Sequence, residues 1–265
     1  MKVVILCGGK GTRLREETEY KPKPMVEIGG KPILWHIMQI YAHYGFTEFV
    51  LALGYKGYVI KEYFLNYQFM QNDFTVHLGS GAITVHRNGV QNNLQVTLVD
   101  TGLDTLKGAR IARLAHYLDG ERFMVTYGDG VADVDINRLL AFHLETGGLG
   151  TFTGVRMPSR FGTVQTDDRG RILKWQEKPL LESYVNGGFF VFERRFLDYL
   201  SEDEGCDLEK EPLERIAAEG MLSMYRHDGF WHSMDTYRDY LHLNAIWNSG
   251  QAPWAVWLQE KENQQ

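Results

Sequence analysis

The sequence predicts an α/β fold: a mostly parallel mixed sheet flanked by helices, with a small β-rich appendage. Three observations predict it. Short apolar runs alternate with amphipathic segments from the first residue to about Gly150. A glycine-rich turn follows the first run at once. Beyond Gly150 short strand-like runs dominate. Alternation of this kind suits parallel strands, which need long crossovers and are covered on both faces by helices.

Each element has its own signal. Val3–Leu6 is β-branched and apolar, which reads as a buried strand. Ile33, Leu34, Ile37, Ile40, Tyr41 and Tyr44 recur at helical spacing, and Pro32 suits a first turn. Phe49–Leu53 is a second buried run, and Tyr58–Phe64 is helical again. Thr84–His86 and Leu94–Val99 flank Asn88-Gly89, a hairpin-type signal. Ala109–Leu118 favours helix, and Phe123–Tyr127 is a strand ending at Gly128-Asp129-Gly130. A helix is expected to begin near Ile136. Thr151–Val155, Gly162–Gln165, Ile172–Gln176 and Gly188–Phe192 read as strands, and Leu213–Ala218 and Tyr237–Trp247 as helices. The tail Pro253–Leu258 is rich in aromatic and apolar residues, which suits packing on its own subunit or a contact between subunits.

Composition narrows the class. The chain has 265 residues, 44% of them hydrophobic and 23% charged, which is ordinary for a globular protein. A net charge of −6 argues against coating nucleic acid but not against a small anionic substrate held in a locally basic cleft. No apolar run reaches the roughly 18 residues that span a bilayer, and the N-terminal apolar stretch is too short for a signal peptide. Cys7 and Cys206 give neither a disulfide framework nor a zinc pattern, so a cytoplasmic location is expected.

The strongest local signal is Gly8-Gly9-Lys10-Gly11-Thr12-Arg13 after the first strand. Glycines let backbone N–H groups approach an anion closely, and a following helix would add its positive end. A dinucleotide fingerprint would need glycine where Leu14 stands, and a Walker A loop needs a lysine that Gly11-Thr12-Arg13 lacks. The loop is therefore a phosphate-type loop of another kind. Residues 1–31 carry a net charge of +3 within a chain of −6. In Lys21-Pro22-Lys23-Pro24 the prolines fix the backbone that presents the lysines.

Gly8-Gly9-x-Gly11-Thr12-Arg13-Leu14 followed by Lys21-Pro22-Lys23-Pro24-Met25 resembles the signature of the sugar-1-phosphate nucleotidyltransferases. The resemblance continues through Gly128-Asp129-Gly130, Glu177-Lys178-Pro179, Asn186-Gly187-Gly188 and Met234-Asp235-Thr236, nearly the whole chain in family order. The wording of Thr126–Asp133 and of Gly229-Phe230-Trp231 is similar to members that use CTP and glucose 1-phosphate. The resemblance implies a single Rossmann-like domain over residues 1–265, with nucleotide bound by about 1–150 and sugar phosphate by about 151–265.

It also implies roles. Leu6, Cys7, Gly8, Gly9, Lys10, Gly11 and Thr12 would line the nucleotide. Arg13 would stabilise leaving pyrophosphate, Lys23 would bridge phosphates near the α position, and Lys178 would hold the phosphate of the sugar phosphate. These three are the expected catalytic residues. Glu177, Asn186 and Gly187 would bind the sugar. Thr105 and Arg110 would lie at the base, with Arg110 a donor suited to a pyrimidine. Asp129 and Asp235 would converge on Mg²⁺, an ion that prefers oxygen ligands and keeps waters and substrate phosphates. A homo-oligomer is expected, without nucleic-acid or membrane partners. The pathway implied is supply of deoxysugars to surface polysaccharide such as the O-antigen of lipopolysaccharide.

Other chemistries fit less well. Asp133-Val134-Asp135 mimics the Asp-x-Asp of metal-dependent glycosyltransferases and the start of an EF-hand. The EF-hand fails at Arg138 and Leu144, and helix capping explains both aspartates. The histidines show no zinc spacing; His36 and His43 read as structural or surface residues. No Gly-x-Ser-x-Gly elbow is present. The alternatives left are a transferase using UTP or dTTP, a glycosyltransferase that consumes a nucleotide sugar, and a catalytically inert family member. The last should have lost one of Arg13, Lys23, Asp129 or Asp235, and all four are present.

Overall fold

Alternate residues of the first strand face opposite layers, and that alternation sets the architecture. A computed structural model describes residues 1–86, 93–159 and 161–258. In its first half, β1 (Val3–Cys7) is followed by the single turn α1 (Arg15–Thr18), the short strands β2 (Glu27–Ile28) and β3 (Lys31–Pro32), and α2 (Ile33–His43). Then come β4 (Glu48–Leu53), α3 (Gly57–Leu65), α4 (Tyr67–Gln71), β5 (Asp73–His77), β6 (Ala82–His86), β7 (Gln95–Asp100) and α5 (Lys107–Ala112). The middle holds β8 (Arg122–Tyr127), β9 (Gly130–Ala132), α6 (Ile136–Thr146) and β10 (Gly150–Pro158). The last third holds β11 (Thr163–Thr166), β12 (Ile172–Gln176), β13 (Leu180–Asn186), β14 (Phe190–Glu193), α7 (Glu211–Ala218), β15 (Leu222–His227), β16 (Trp231–Ser233) and α8 (Tyr237–Asn248).

The central sheet has eight strands in the order β13-β10-β14-β8-β1-β4-β7, with β15 on the other edge of β10. The pairs β1/β4, β1/β8, β4/β7 and β10/β15 are parallel, and β14 runs antiparallel between β8 and β10. Val3, Ile5, Cys7, Phe49 and Leu51 face one layer with α2 and the chain's last tryptophans. Val4, Leu6, Val50 and Ala52 face the other with Ile111, Phe123 and Phe192. Both layers exclude water, which is why these strands read as unbroken apolar runs.

Among the described residues four small two-stranded sheets lie outside this body; β11–β12 is the β-rich addition expected beyond Gly150, whereas β2–β3, β5–β6 and β9–β16 draw on strands before it. The ribbons β5–β6 and β11–β12 are largely exposed. The hairpin expected around Asn88-Gly89 is corrected. β6 pairs antiparallel with β5, while β7 pairs parallel with β4 in the main sheet. Asn88-Gly89 itself lies outside the described residues. The physical reason is that β6 closes a five-residue antiparallel ladder with β5 across the short turn at 78–81, a partner nearer in sequence than β7. The helix expected over Ala109–Leu118 is broken into α5 and a 3₁₀ turn at Ala115–Tyr117.

Of the two readings of the aromatic tail, packing on its own subunit is observed. Trp254 is fully buried and stands among His36, Trp247 and Phe230 of the same chain.

Candidate active site

The carboxyl ends of β1 and β8 open into a cleft, as expected where parallel strands end side by side. A lobe of about 400 Å³ is lined by Gly8, Gly9, Lys23, Asp129 and Asn186, among others. A larger lobe of about 1180 Å³ is lined by Lys178, His232 and Arg238, among others. Arg13, Ser233 and Asp235 belong to both walls.

The glycine loop is held from below. Gly8 has the Arg110 guanidinium packed against it so closely that a Cβ would sit 2.2 Å from its carbon. Gly11 takes the left-handed conformation, φ +61°, and its carbonyl accepts bonds from the Leu14 N–H and the Thr18 hydroxyl. The helix after the loop is only one turn, Arg15–Thr18, so the expected dipole contribution from its positive end is small. Lys10 leans away to pair with Asp104 at 2.6 Å. Burial pushes the Cys7 thiol up, which keeps it protonated and inert as a nucleophile.

Asp129 and Asp235, 106 residues apart in the chain, are brought together by the β9–β16 ladder. Ser233 faces Gly130 in its register, and the Met234 N–H donates to the Asp129 carbonyl at 2.8 Å. Lys23 Nζ donates to both carboxylates, at 2.6 Å to Asp129 Oδ2 and 2.7 Å to Asp235 Oδ1. Arg13 Nη2 donates to that same Asp235 oxygen at 2.8 Å, and the Ser233 hydroxyl donates to its other oxygen at 2.9 Å. Burial disfavours the Lys23 charge, but the two carboxylates outweigh it and hold the ammonium above the ordinary lysine range. Burial likewise opposes the Asp235 charge; Lys23, Ser233 and Arg13 outweigh it and hold the carboxyl below the usual range.

Two carboxylates converging on one cation are a donor set that suits a small, hard divalent ion retaining water and phosphate ligands. Among the described residues no group of three or more His, Cys, Asp or Glu could hold a metal.

The remaining expected residues divide. Asn186 lines the smaller lobe; its amide donates to the Tyr127 hydroxyl at 2.9 Å and its oxygen accepts from the Gly188 N–H. The Gly187 carbonyl accepts from Trp231 Nε1 at 2.7 Å. Lys178 lines the larger lobe from a left-handed backbone, φ +45°, an uncommon conformation for a residue with a side chain. Glu177 is exposed and lines neither lobe; its carboxylate lies by Gly162. Thr105 is buried and accepts from Arg113. Arg110 lines the cleft, but its guanidinium donates to the Leu53, Gly102, Gly8 and Leu103 carbonyls and the Thr101 hydroxyl. In this structure it ties the glycine loop to the ends of β4 and β7. Of the Asp-x-Asp pair, Asp135 caps α6 by accepting from the Arg138 N–H at 2.9 Å, and Asp133 lies 2.9 Å from His227.

Sequence reasoning missed a chain of polar contacts on the cleft wall. Tyr127 donates to Glu209 at 2.7 Å, and Lys107 pairs with the same carboxylate oxygen. Tyr127 could have been found, because it immediately precedes Gly128-Asp129 at a strand end. Glu209 stands in no motif.

A family model described as nucleotidyl transferase matches residues 2–249. The chain is 48% identical over 259 residues to the glucose-1-phosphate cytidylyltransferase of Salmonella typhi, covering 97% of this chain and all of that protein. It is 46% identical over 257 residues to the probable glucose-1-phosphate cytidylyltransferase of Bacillus subtilis, with the same two coverages. Among solved structures it is similar to HddC from Yersinia pseudotuberculosis, with a TM-score of 0.67 and 21% identity, covering 93% of this chain and 99% of that one.

Proposed function

The chain belongs to the nucleotidyl transferase family, and from that membership we propose that it transfers CMP from CTP to glucose 1-phosphate, giving CDP-glucose and pyrophosphate. The observation that carries the reading is the charge-paired junction of the two lobes, where Arg13 and Lys23 meet Asp129 and Asp235. The near full-length identity to two glucose-1-phosphate cytidylyltransferases supports the choice of base and sugar.

The phosphate oxygen of glucose 1-phosphate attacks the α-phosphorus of CTP, the new P–O bond forms, and the bond to pyrophosphate breaks in line. The nucleophile is already an anion, so no general base is required. Catalysis is then positioning and charge neutralisation. The Gly8–Gly11 backbone, with Leu6, Cys7 and Thr12, lines the triphosphate; Lys23 bridges phosphates near the α position and Arg13 receives the charge that develops on pyrophosphate. Lys178 holds the sugar phosphate, and Asn186, Gly187 and Glu177 serve the sugar. Asp129 and Asp235 would hold Mg²⁺, which when bound would draw charge from the α-phosphate. Arg110 and Thr105 act at the base side by fixing the loop and the strand ends that frame it.

We place the nucleotide part at about residues 1–150 and the sugar-phosphate part at about 151–265. We place the protein in the cytoplasm as a homo-oligomer; no described helix is long and apolar enough to cross a membrane. The exposed apolar side chains Phe161, Leu173 and Trp175, on and beside the ribbon β11–β12, support self-association. Its product would feed deoxysugar supply for surface polysaccharide.

The test is pyrophosphate release with glucose 1-phosphate, Mg²⁺ and each of CTP, UTP, dTTP, ATP and GTP. Release with CTP alone is expected. Release with another nucleotide instead keeps the mechanism and overturns the base. Release of nucleoside diphosphate from a nucleotide sugar would instead mark a glycosyltransferase.

A further inference from the structure

The position best suited to a divalent cation is already filled by a side chain. Lys23 Nζ lies 2.6 Å from Asp129 and 2.7 Å from Asp235, donating to both at once. With Arg13 on the second carboxylate, two cationic groups offset the two acids before any ligand arrives. The Lys23 side chain is 11% exposed. Its backbone lies in the 3₁₀ turn Lys23–Met25, between Pro22 and Pro24. Two prolines leave little backbone freedom, so the ammonium can leave only by a change of its own rotamers. Arg13 differs: its side chain is 69% exposed and it can swing into solvent without losing a buried position.

A divalent ion entering between these carboxylates meets the Lys23 ammonium within a few ångströms. That repulsion falls only if Lys23 moves away, and a buried ammonium moves readily only toward another anion. A triphosphate bound on the glycine loop supplies that anion.

We propose that Lys23 is a placeholder for the metal, so that the Asp129–Asp235 pair accepts a divalent cation only together with a nucleoside triphosphate, whose oxygens receive Lys23 as it leaves. This rests on the reading of the acid pair as the metal site of nucleotidyl transfer. Free metal then does not preload the site, and metal and nucleotide tighten each other's binding by the same factor. One lysine serves twice, as counter-ion of the acids at rest and as counter-ion of the phosphates when loaded.

The experiment is a titration of Mn²⁺ into the full-length protein without nucleotide, followed by the electron paramagnetic resonance signal of free Mn²⁺. Wild type, Lys23→Met and the double variant Lys23→Met/Asp235→Asn are compared. Lys23→Met is expected to bind Mn²⁺ at least tenfold more tightly than wild type, and the double variant is expected to lose that gain. Adding CTP should tighten Mn²⁺ binding at least tenfold in wild type and much less in Lys23→Met. Equal nucleotide-free affinity in wild type and Lys23→Met overturns the proposal, as does a gain that survives the Asp235 change. Lys23→Gln is run alongside, and circular dichroism identifies a variant that has not folded. If neither variant folds, tight nucleotide-free binding to wild type that Asp235→Asn abolishes overturns the proposal, and weak binding that CTP tightens upholds it. Sugar phosphate plays no part in this measurement. A wrong substrate assignment would therefore appear as absent pyrophosphate release while the nucleotide-free comparison still reads out.

Discussion

In the proposed function Arg13 meets the charge that develops on pyrophosphate and Asp129 holds the metal, and neither side chain belongs to the hydrophobic core. Arg13→Ala and Asp129→Ala are therefore expected to lose on the order of 100- to 1000-fold in pyrophosphate release, with unchanged circular dichroism. Gly8→Ala is a different kind of lesion. The added methyl group would overlap the Arg110 guanidinium, and the arginine would have to give up carbonyl contacts to make room. A raised KM for CTP together with a lowered melting temperature is expected, whereas a phosphate-contacting variant lowers turnover and leaves melting alone. These residues were legible because their types announce their chemistry: glycines beside a strand end, lysines between prolines, aspartates at strand ends. Arg110 was legible as important, but most of its partners are backbone carbonyls drawn from three segments, which no residue pattern encodes. Glu209 was not legible at all. It reaches the cleft wall through the loop before α7 and becomes meaningful only beside Tyr127 and Lys107.

Helix α2 shows how an element can carry a pH response. His36 is fully buried on it, with Nε2 2.9 Å from the Ile28 carbonyl and Nδ1 3.4 Å from Trp254 Nε1. The indole can only donate, so Nδ1 accepts and the proton sits on Nε2. Burial lowers the ring's pKa from 6.5 to about 4. The unfolded chain takes up a proton below about pH 6.5 that the folded chain refuses until about pH 4. Stability is complete above that window and falls as pH drops through it, by up to about 3 kcal/mol. Urea melts at pH 7 and pH 4.5 should show a smaller loss in His36→Gln than in wild type. At this scale the sequence was most informative for strands buried on both faces and for α2, whose apolar residues recur at helical spacing. It failed at β6 and β7. Asn88-Gly89 is a local signal, but β6 is already paired through a nearer turn with β5, and β7 finds its ladder on β4, distant in sequence.

Across the whole molecule one sheet runs from β13 to β7, so both proposed substrate parts share a single rigid support. The exposed ribbons do not share it. Sedimentation equilibrium is expected to give a mass that is a multiple of 30.5 kDa, and Trp175→Asp is expected to lower it. A wild-type monomer would remove self-association from the proposed function. The ladder between β9 and β16 has a consequence for how the protein is made. Lys23 leaves the ribosome 212 residues before its partner Asp235. Domains tend to acquire structure as they emerge, amino-terminal parts first. The nascent chain can thus assemble the glycine loop and the first parallel strands, yet it lacks half of its acid pair until the segment after β16 has emerged. A polypeptide cut short before β16 would carry a phosphate loop without the chemistry to use it, so interrupted synthesis yields no partly competent enzyme.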